Sequence, residues 1–171
     1  MDIETIVVGP LETNCYIITK DNKCLIVDPG DESNKIIKAI DKKEVLGILL
    51  THSHFDHIGA LNEIKDYYNV LVYDYNNEKN IEIGPFNFET IDTKGHKEDS
   101  ITFYFEEDKV MFTGDFLFKG SIGRMDLEGG NEFEMDMSIN LIKNYPDDIT
   151  IYPGHGPKTN LLHEKNFNPY F

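Results

Sequence analysis

At 171 residues the chain has room for one domain of ordinary size, residues 1–171, and its 40% hydrophobic and 12% aromatic content excludes wholesale disorder. Sixteen Lys and Arg against 31 Asp and Glu leave a net charge of −15, which repels phosphate backbones and anionic lipid and argues against nucleic-acid and membrane partners. No apolar run approaches the ~18 residues of a membrane span, Met1-Asp2-Ile3-Glu4 has no leader pattern, and Cys15 and Cys24 are too few for a disulfide framework; the expectation is a cytoplasmic protein with free thiols.

In chain order, residues 3–8 read as a strand stopped by Gly9-Pro10. Residues 14–19 and 24–27 are two more, separated by the turn-forming Asp21-Asn22. Ser33 can cap a helix with Ile36, Ile37 and Ile40 on one face, and 45–50 is a nearly continuous apolar strand expected to be buried on both sides. A second helix is predicted from about His57 to Tyr68 with Leu61 and Ile64 inward, followed by a short strand at 70–73. Residues 86–91, 101–105 and 110–113 are further strands. In the middle one Ile101, Phe103 and Phe105 alternate with Thr102 and Tyr104, which predicts one wet face. Asn131 with Glu134 resembles a capping box, opening a helix that carries Phe133, Met137 and Leu141 at i, i+4, i+8 and closes before Pro146. Residues 149–152 form the last strand, and the tail after Leu161 forms one short helix. About eight to ten short strands with three or four helices make an α/β or α+β domain.

The chemistry concentrates at Thr51-His52-Ser53-His54-Phe55-Asp56-His57-Ile58-Gly59, between the apolar strand and a helix. In extended chain, residues two apart point the same way, so His52 and His54 can grip one ion. As the chain turns into the helix, Asp56 and His57 swing toward a neighbouring point. Four such side chains within six residues would each need a partner if buried, and a cation supplies it for all of them. His163, beside Glu164 in a polar tail, reads as a solvated helix histidine.

This segment resembles the H-x-H-x-D-H signature of the metallo-β-lactamase superfamily. The rest of the chain extends the likeness. Gly95-His96 matches that family's third histidine, Thr113-Gly114-Asp115 its bridging aspartate, and Pro153-Gly154-His155-Gly156-Pro157 its last histidine, each after a predicted strand. Five of the six histidines are thereby used. With Leu11-Glu12-Thr13-Asn14-Cys15-Tyr16, Val27-Asp28-Pro29-Gly30, Gly123-Arg124 and Asn168-Pro169, the chain looks most like the glyoxalase II-like, hydroxyacylglutathione hydrolase-like branch, in its short form without the C-terminal helical domain. It departs from the family's G-H-T-x-G-S after the third ligand, reading Gly95-His96-Lys97-Glu98-Asp99-Ser100.

The resemblance implies a four-layer αββα sandwich with metals on loops at one edge of the sheets. It implies that His52, His54 and His96 bind one ion, that Asp56, His57 and His155 bind a second, and that Asp115 bridges them, Asp56 and Asp115 being the catalytic carboxylates. Nitrogen and oxygen donors without thiolate suit two divalent ions, Zn2+ first and Fe or Mn as alternatives. The implied activity is hydrolysis of a small thioester, such as an S-lactoylglutathione-like hydroxyacyl-thiol, by hydroxide formed on the ions. Alternatives on the same scaffold are a mononuclear-iron persulfide dioxygenase-like oxidoreductase and a lactone or ester hydrolase; a nuclease conflicts with the charge, and a non-catalytic metal-binding domain with an open dinuclear site. Two residues keep two readings each. Asp28 is either a turn aspartate or an acceptor for a ligand imidazole. Arg124 is either a substrate contact or one half of an ion pair with Asp126 or Asp28. Gly154 and Gly156 let the backbone turn tightly around His155.

Overall fold

The computed structural model describes residues 1–77 and 79–171. One sheet is built from β1 (Asp2–Val8), β2 (Thr13–Lys20), β3 (Lys23–Val27), β4 (Glu44–Leu49) and β5 (Leu71–Tyr73), in that spatial order. The second runs β13 (Thr159–Asn160), β12 (Thr150–Pro153), β9 (Val110–Gly114), β8 (Ile101–Phe105), β7 (Phe86–Asp92) and β6 (Asn80–Ile83). A small hairpin, β10 (Leu117–Phe118) and β11 (Ser121–Ile122), follows β9. The helices are α1 (Ser33–Ile40), α2 (Phe55–Ile58), α3 (Leu61–Tyr68), α4 (Glu132–Ile142) and α5 (Leu161–Phe167).

Three apolar clusters fill the three spaces between four layers. Between the sheets lie Tyr16, Ile18, Leu25, Phe86, Phe103, Phe105 and Phe112. Outside the first sheet, Ile17, Ile26 and Ile48 meet Ile36, Ile40 and Ile64 from α1 and α3. Outside the second, Met111 and Ile151 meet Met135, Ile139 and Ile142 from α4 and Leu161 from α5. This is the expected αββα sandwich. Removing one ring from its centre, as in Phe103→Ala, costs about 3–5 kcal/mol for a fully buried aromatic.

The parallel pairs β3–β4, β4–β5 and β9–β12 require crossovers, and the strand ends they create face one edge. The loop after β4 carries residues 51–57, and the loops after β9 and β12 carry Asp115 and His155. Backbone bonds stitch the sheets together at this edge, Ile101 N–H to the Thr51 carbonyl (2.9 Å) and Asn14 N–H to the Gly154 carbonyl (2.7 Å), while Gly154 N–H to the Gly114 carbonyl (2.8 Å) ties β12 to β9 within the second sheet.

Two expectations are corrected. All five residues of β8 are buried, so it has no wet face. Its second face is covered by the α4 layer, where Tyr104 packs, and Thr102 shares a hydrogen bond with Thr93 (3.0 Å) instead of meeting water. The helix predicted over 57–68 is two: α2 ends at Ile58, and the Ala60 N–H turns away to the Pro29 carbonyl (3.0 Å). On α4, the Asn131 side chain accepts from the Glu134 N–H (3.1 Å). The Phe133, Met137 and Leu141 stripe faces outward, 72%, 58% and 43% exposed. At 100° per residue the positions two further on, Met135 and Ile139, fall on the opposite side and fill the core.

Candidate metal centre

The site forms where the chain leaves β4. His54 is still extended (φ −67°, ψ 147°), so His52 and His54 project to the same side, and the first turn of α2 carries Asp56 and His57 toward them. His96 enters from the loop between β7 and β8, Asp115 from the end of β9 and His155 from the end of β12. His54 Nδ1 lies 3.1 Å from His52 Nε2 and 2.8 Å from His96 Nε2. His155 Nε2 lies 3.2 Å from Asp56 Oδ2, and His57 Nε2 lies 3.6 Å from the same oxygen. Asp115 sits between the two sets, with Oδ1 3.3 Å from His57 Nε2 and Oδ2 3.6 Å from His96 Nε2 and 3.5 Å from His155 Nε2. All seven predicted side chains are thus brought together, with the donor atoms of each set within 4.8 Å of one another.

The outer nitrogens explain why the inner ones are free to ligate. His96 Nδ1 is 2.7 Å from the Arg124 carbonyl and His155 Nδ1 is 3.0 Å from the Leu11 carbonyl, so each must carry a proton there. Thr51 donates its hydroxyl to Asp28 Oδ2 (2.6 Å) and accepts from His52 Nδ1 (3.1 Å). His57 Nδ1 donates to the same Asp28 oxygen (2.8 Å), whose partner oxygen accepts the Thr51 N–H (2.8 Å). Each of these outer bonds turns an Nε2 toward the centre. Asp28 holds its place at φ +47°, a region uncommon for a residue with a side chain. Asp56 is held by Thr13, whose hydroxyl donates to its Oδ2 (2.9 Å).

The donors fit a divalent cation pair. His57 Nε2 and Asp115 Oδ1 are buried without a hydrogen-bond partner, an arrangement that is costly unless a cation completes it. Packing closes round the same atoms. A Cβ on Gly154 would sit 2.2 Å from Asp115 Oδ1, and one on Gly114 (φ +49°) 2.2 Å from Thr51 Oγ1.

Electrostatics divide the cluster. Burial, reinforced by the neighbouring imidazoles, holds His52 well below the usual histidine range, and burial, His96 and Lys97 lower His54. Burial opposes ionisation of Asp56 and Asp115, but His155 and His57 outweigh it and hold both far below the usual carboxylate range. Burial likewise opposes protonation of His57 and His155. It is overcome by Asp28 and Asp115 at His57, and by Asp115 and Asp56 at His155, so both are pushed up to about 10.

Arg124 turns outward and forms a two-pronged ion pair with Asp126 (2.7 and 2.6 Å), while its carbonyl steadies His96. Cys15 and Cys24 are buried free thiols outside the cluster. His163 lies on α5 against the Phe167 ring. The roles of Thr13 and of the Leu11 carbonyl carried no signal in sequence beyond lying in a segment that fits the family.

A four-layer sandwich with a histidine and aspartate cluster at its sheet edge defines a metal-dependent enzyme. The chain belongs to the metallo-beta-lactamase superfamily, whose model matches residues 8–81 and 72–155. It is 37% identical to "Probable metallo-hydrolase YqgX" of Bacillus subtilis (strain 168), over 95% of this chain and 94% of that one. It is 34% identical to "Hydroxyacylglutathione hydrolase GloC" of Haemophilus influenzae (strain ATCC 51907 / DSM 11121 / KW20 / Rd), over 99% and 98%. The crystal structure of BLEG-1 B3 metallo-beta-lactamase superposes with a TM-score of 0.95 at 32% identity, over 99% of each chain. Among the described residues no helix is long and apolar enough to cross a membrane.

Proposed function

We propose that this protein is a dinuclear metal-dependent hydrolase of small thioesters, such as a hydroxyacyl-thiol. The carrying observation is that both donor sets are complete and share Asp115 between them. His52, His54 and His96 would hold one divalent ion and Asp56, His57 and His155 the other, with Asp115 bridging. A bound pair would supply Lewis acidity and lower the pKa of a water to about 7.

The chain's own groups do the rest. Asp56 and Asp115 stay ionised and offer acceptor oxygens that can orient a water. Thr13 fixes the rotation of Asp56, and Asp28 fixes that of His57. Cys15 and Cys24 are buried with their thiols pushed up by burial, so neither is a nucleophile. The thioester class is supported by the likeness to the hydroxyacylglutathione hydrolase over nearly the whole chain. The likeness to a B3 metallo-beta-lactamase makes β-lactam amides the competing substrate. The N and O donors suit zinc first, and iron or manganese next.

Metal analysis beside a substrate panel tests this. Two zinc ions per chain and rapid loss of thioester absorbance are expected, with slow or no turnover of a chromogenic β-lactam. Preferred β-lactam turnover would replace the substrate class. One iron with oxygen uptake on a persulfide would replace the reaction. Preferred turnover of a lactone would move the substrate to that ester class.

A further inference from the structure

A cleft of about 410 Å³ opens on the outer side of His54, lined by His54, Lys97, Glu98, Leu127, Glu128 and Gly129. Lys97 follows the ligand His96 directly and stands where the family pattern has threonine. Its side chain is only 18% exposed, yet its ammonium makes no hydrogen bond among the described residues. Its ion-pair partner is Asp99 Oδ1 at 3.7 Å, too far for a hydrogen bond, and that oxygen is buried without a hydrogen-bond partner of its own. A largely covered side chain whose ammonium reaches the cleft with its three N–H donors free of hydrogen-bond acceptors among the described residues favours a ligand that brings acceptors. Arg124, the cation singled out in the sequence, is 61% exposed and taken by Asp126. Glu98 and Glu128 are exposed at the rim and oppose a polyanion, so a single short anionic group fits best.

We propose that Lys97 is a specificity-determining residue whose ammonium receives a carboxylate of the substrate on the His54 side of the metal centre. The inference rests on the thioesterase reading and narrows it to monoanionic thioesters. The carboxylate can belong to the acyl half or to the thiol half. Lys97 contacts substrate only and takes no part in bond breaking.

The test compares wild type, Lys97→Met, Lys97→Arg and Lys97→Glu, each loaded with zinc and matched for metal content and circular dichroism. Three thioesters are used: S-acetyl-2-mercaptoethanol (neutral), S-acetyl-3-mercaptopropionate (anionic thiol half) and the S-hemisuccinyl ester of 2-mercaptoethanol (anionic acyl half). For one anionic substrate, Lys97→Met should raise KM about tenfold or more with kcat held, as loss of one hydrogen bond to a charged group implies. The neutral ester should be unaffected, Lys97→Arg should retain most of the preference and Lys97→Glu should deepen the loss. Whichever anionic ester responds identifies the half that carries the charge. Equal losses on neutral and anionic esters, or no loss on any, overturn the proposal. A second readout does not depend on turnover: calorimetric binding of 3-mercaptopropionate and of 2-mercaptoethanol. Lys97→Met should weaken the first about tenfold and leave the second unchanged; equal change in both, or none, counts against Lys97. If wild type hydrolyses none of the thioesters, the thioesterase reading fails, while the thiol titration still decides whether Lys97 receives an anion.

Discussion

His52, His54 and His96 on one side of Asp115, and Asp56, His57 and His155 on the other, share an edge of the sandwich but are built from opposite electrostatics. The first set is all imidazole, and burial keeps His52 and His54 unprotonated near neutral pH. The second places two imidazoles among three carboxylates, and in the metal-free protein His57 and His155 hold protons up to about pH 10. Lone pairs on His52 and His54 are therefore ready for a cation, whereas His57 and His155 must first release theirs. Filling is expected in that order.

Asp115 belongs to both halves, so its loss should have the largest effect. Asp115→Asn removes the bridging charge while nearly preserving shape. Turnover of the preferred thioester is expected to fall about a thousandfold or more, as for the loss of a principal electrostatic element in a buried site. Metal content measured by mass spectrometry should drop from two ions toward one. Two tightly held ions with near-normal turnover would remove Asp115 from the centre.

Proton release gives the next effect. Raised values at His57 and His155 mean that protons compete with the second ion below about pH 10. Its affinity should rise with pH by up to about a hundredfold per unit, the limit for two displaced protons, while binding to the first set should be nearly flat between pH 6.5 and 8. Stability of the metal-free protein runs the other way. A raised histidine value stabilises the fold fully below the ordinary 6.5 and loses that contribution as pH climbs toward 10. Titration calorimetry in two buffers of different ionisation enthalpy counts the protons released. A pH-independent second ion would erase the contrast between the halves.

Asp28 acts on the second half through His57. Its carboxylate fixes the imidazole from behind, and Asp28→Asn should weaken one of the two ions about 10- to 100-fold, as expected for an outer partner of a ligand histidine. Equal weakening of both ions would show that Asp28 serves His52 as strongly, by way of Thr51.

The convergence of the seven side chains was legible because each lies at a strand end within a short pattern, so recognising the strands nearly placed them. What holds them was less legible. The bond from His155 to the Leu11 carbonyl spans 144 positions and that from Thr13 to Asp56 spans 43, and neither carbonyl nor hydroxyl has a pattern of its own. Asp28 admitted two readings until the parallel pairing of β3 with β4 set it beside Thr51. The layers show the same limit. Alternation at Thr102 and Tyr104 reveals a second face of β8 but not the helix layer that covers it, and the stripe Phe133, Met137, Leu141 has a helical period without showing which side meets the core.

The smallest expected effect comes from Thr13, which touches one donor of one half. Its hydroxyl gives Asp56 Oδ2 a hydrogen bond at 2.9 Å, and Thr13→Val keeps the shape while removing it. A bond to a charged group contributes about 1.5–3 kcal/mol in the buried limit, but Asp56 is partly open to solvent and also bonded by His155, so the lower end applies. The second ion should weaken about tenfold, leaving the first ion and the fold unchanged. Staged cobalt loading followed by absorbance reads the two sites separately. A Thr13→Val protein that loses both ions together would mean that the halves are coupled through Asp115 more tightly than their separate surroundings suggest.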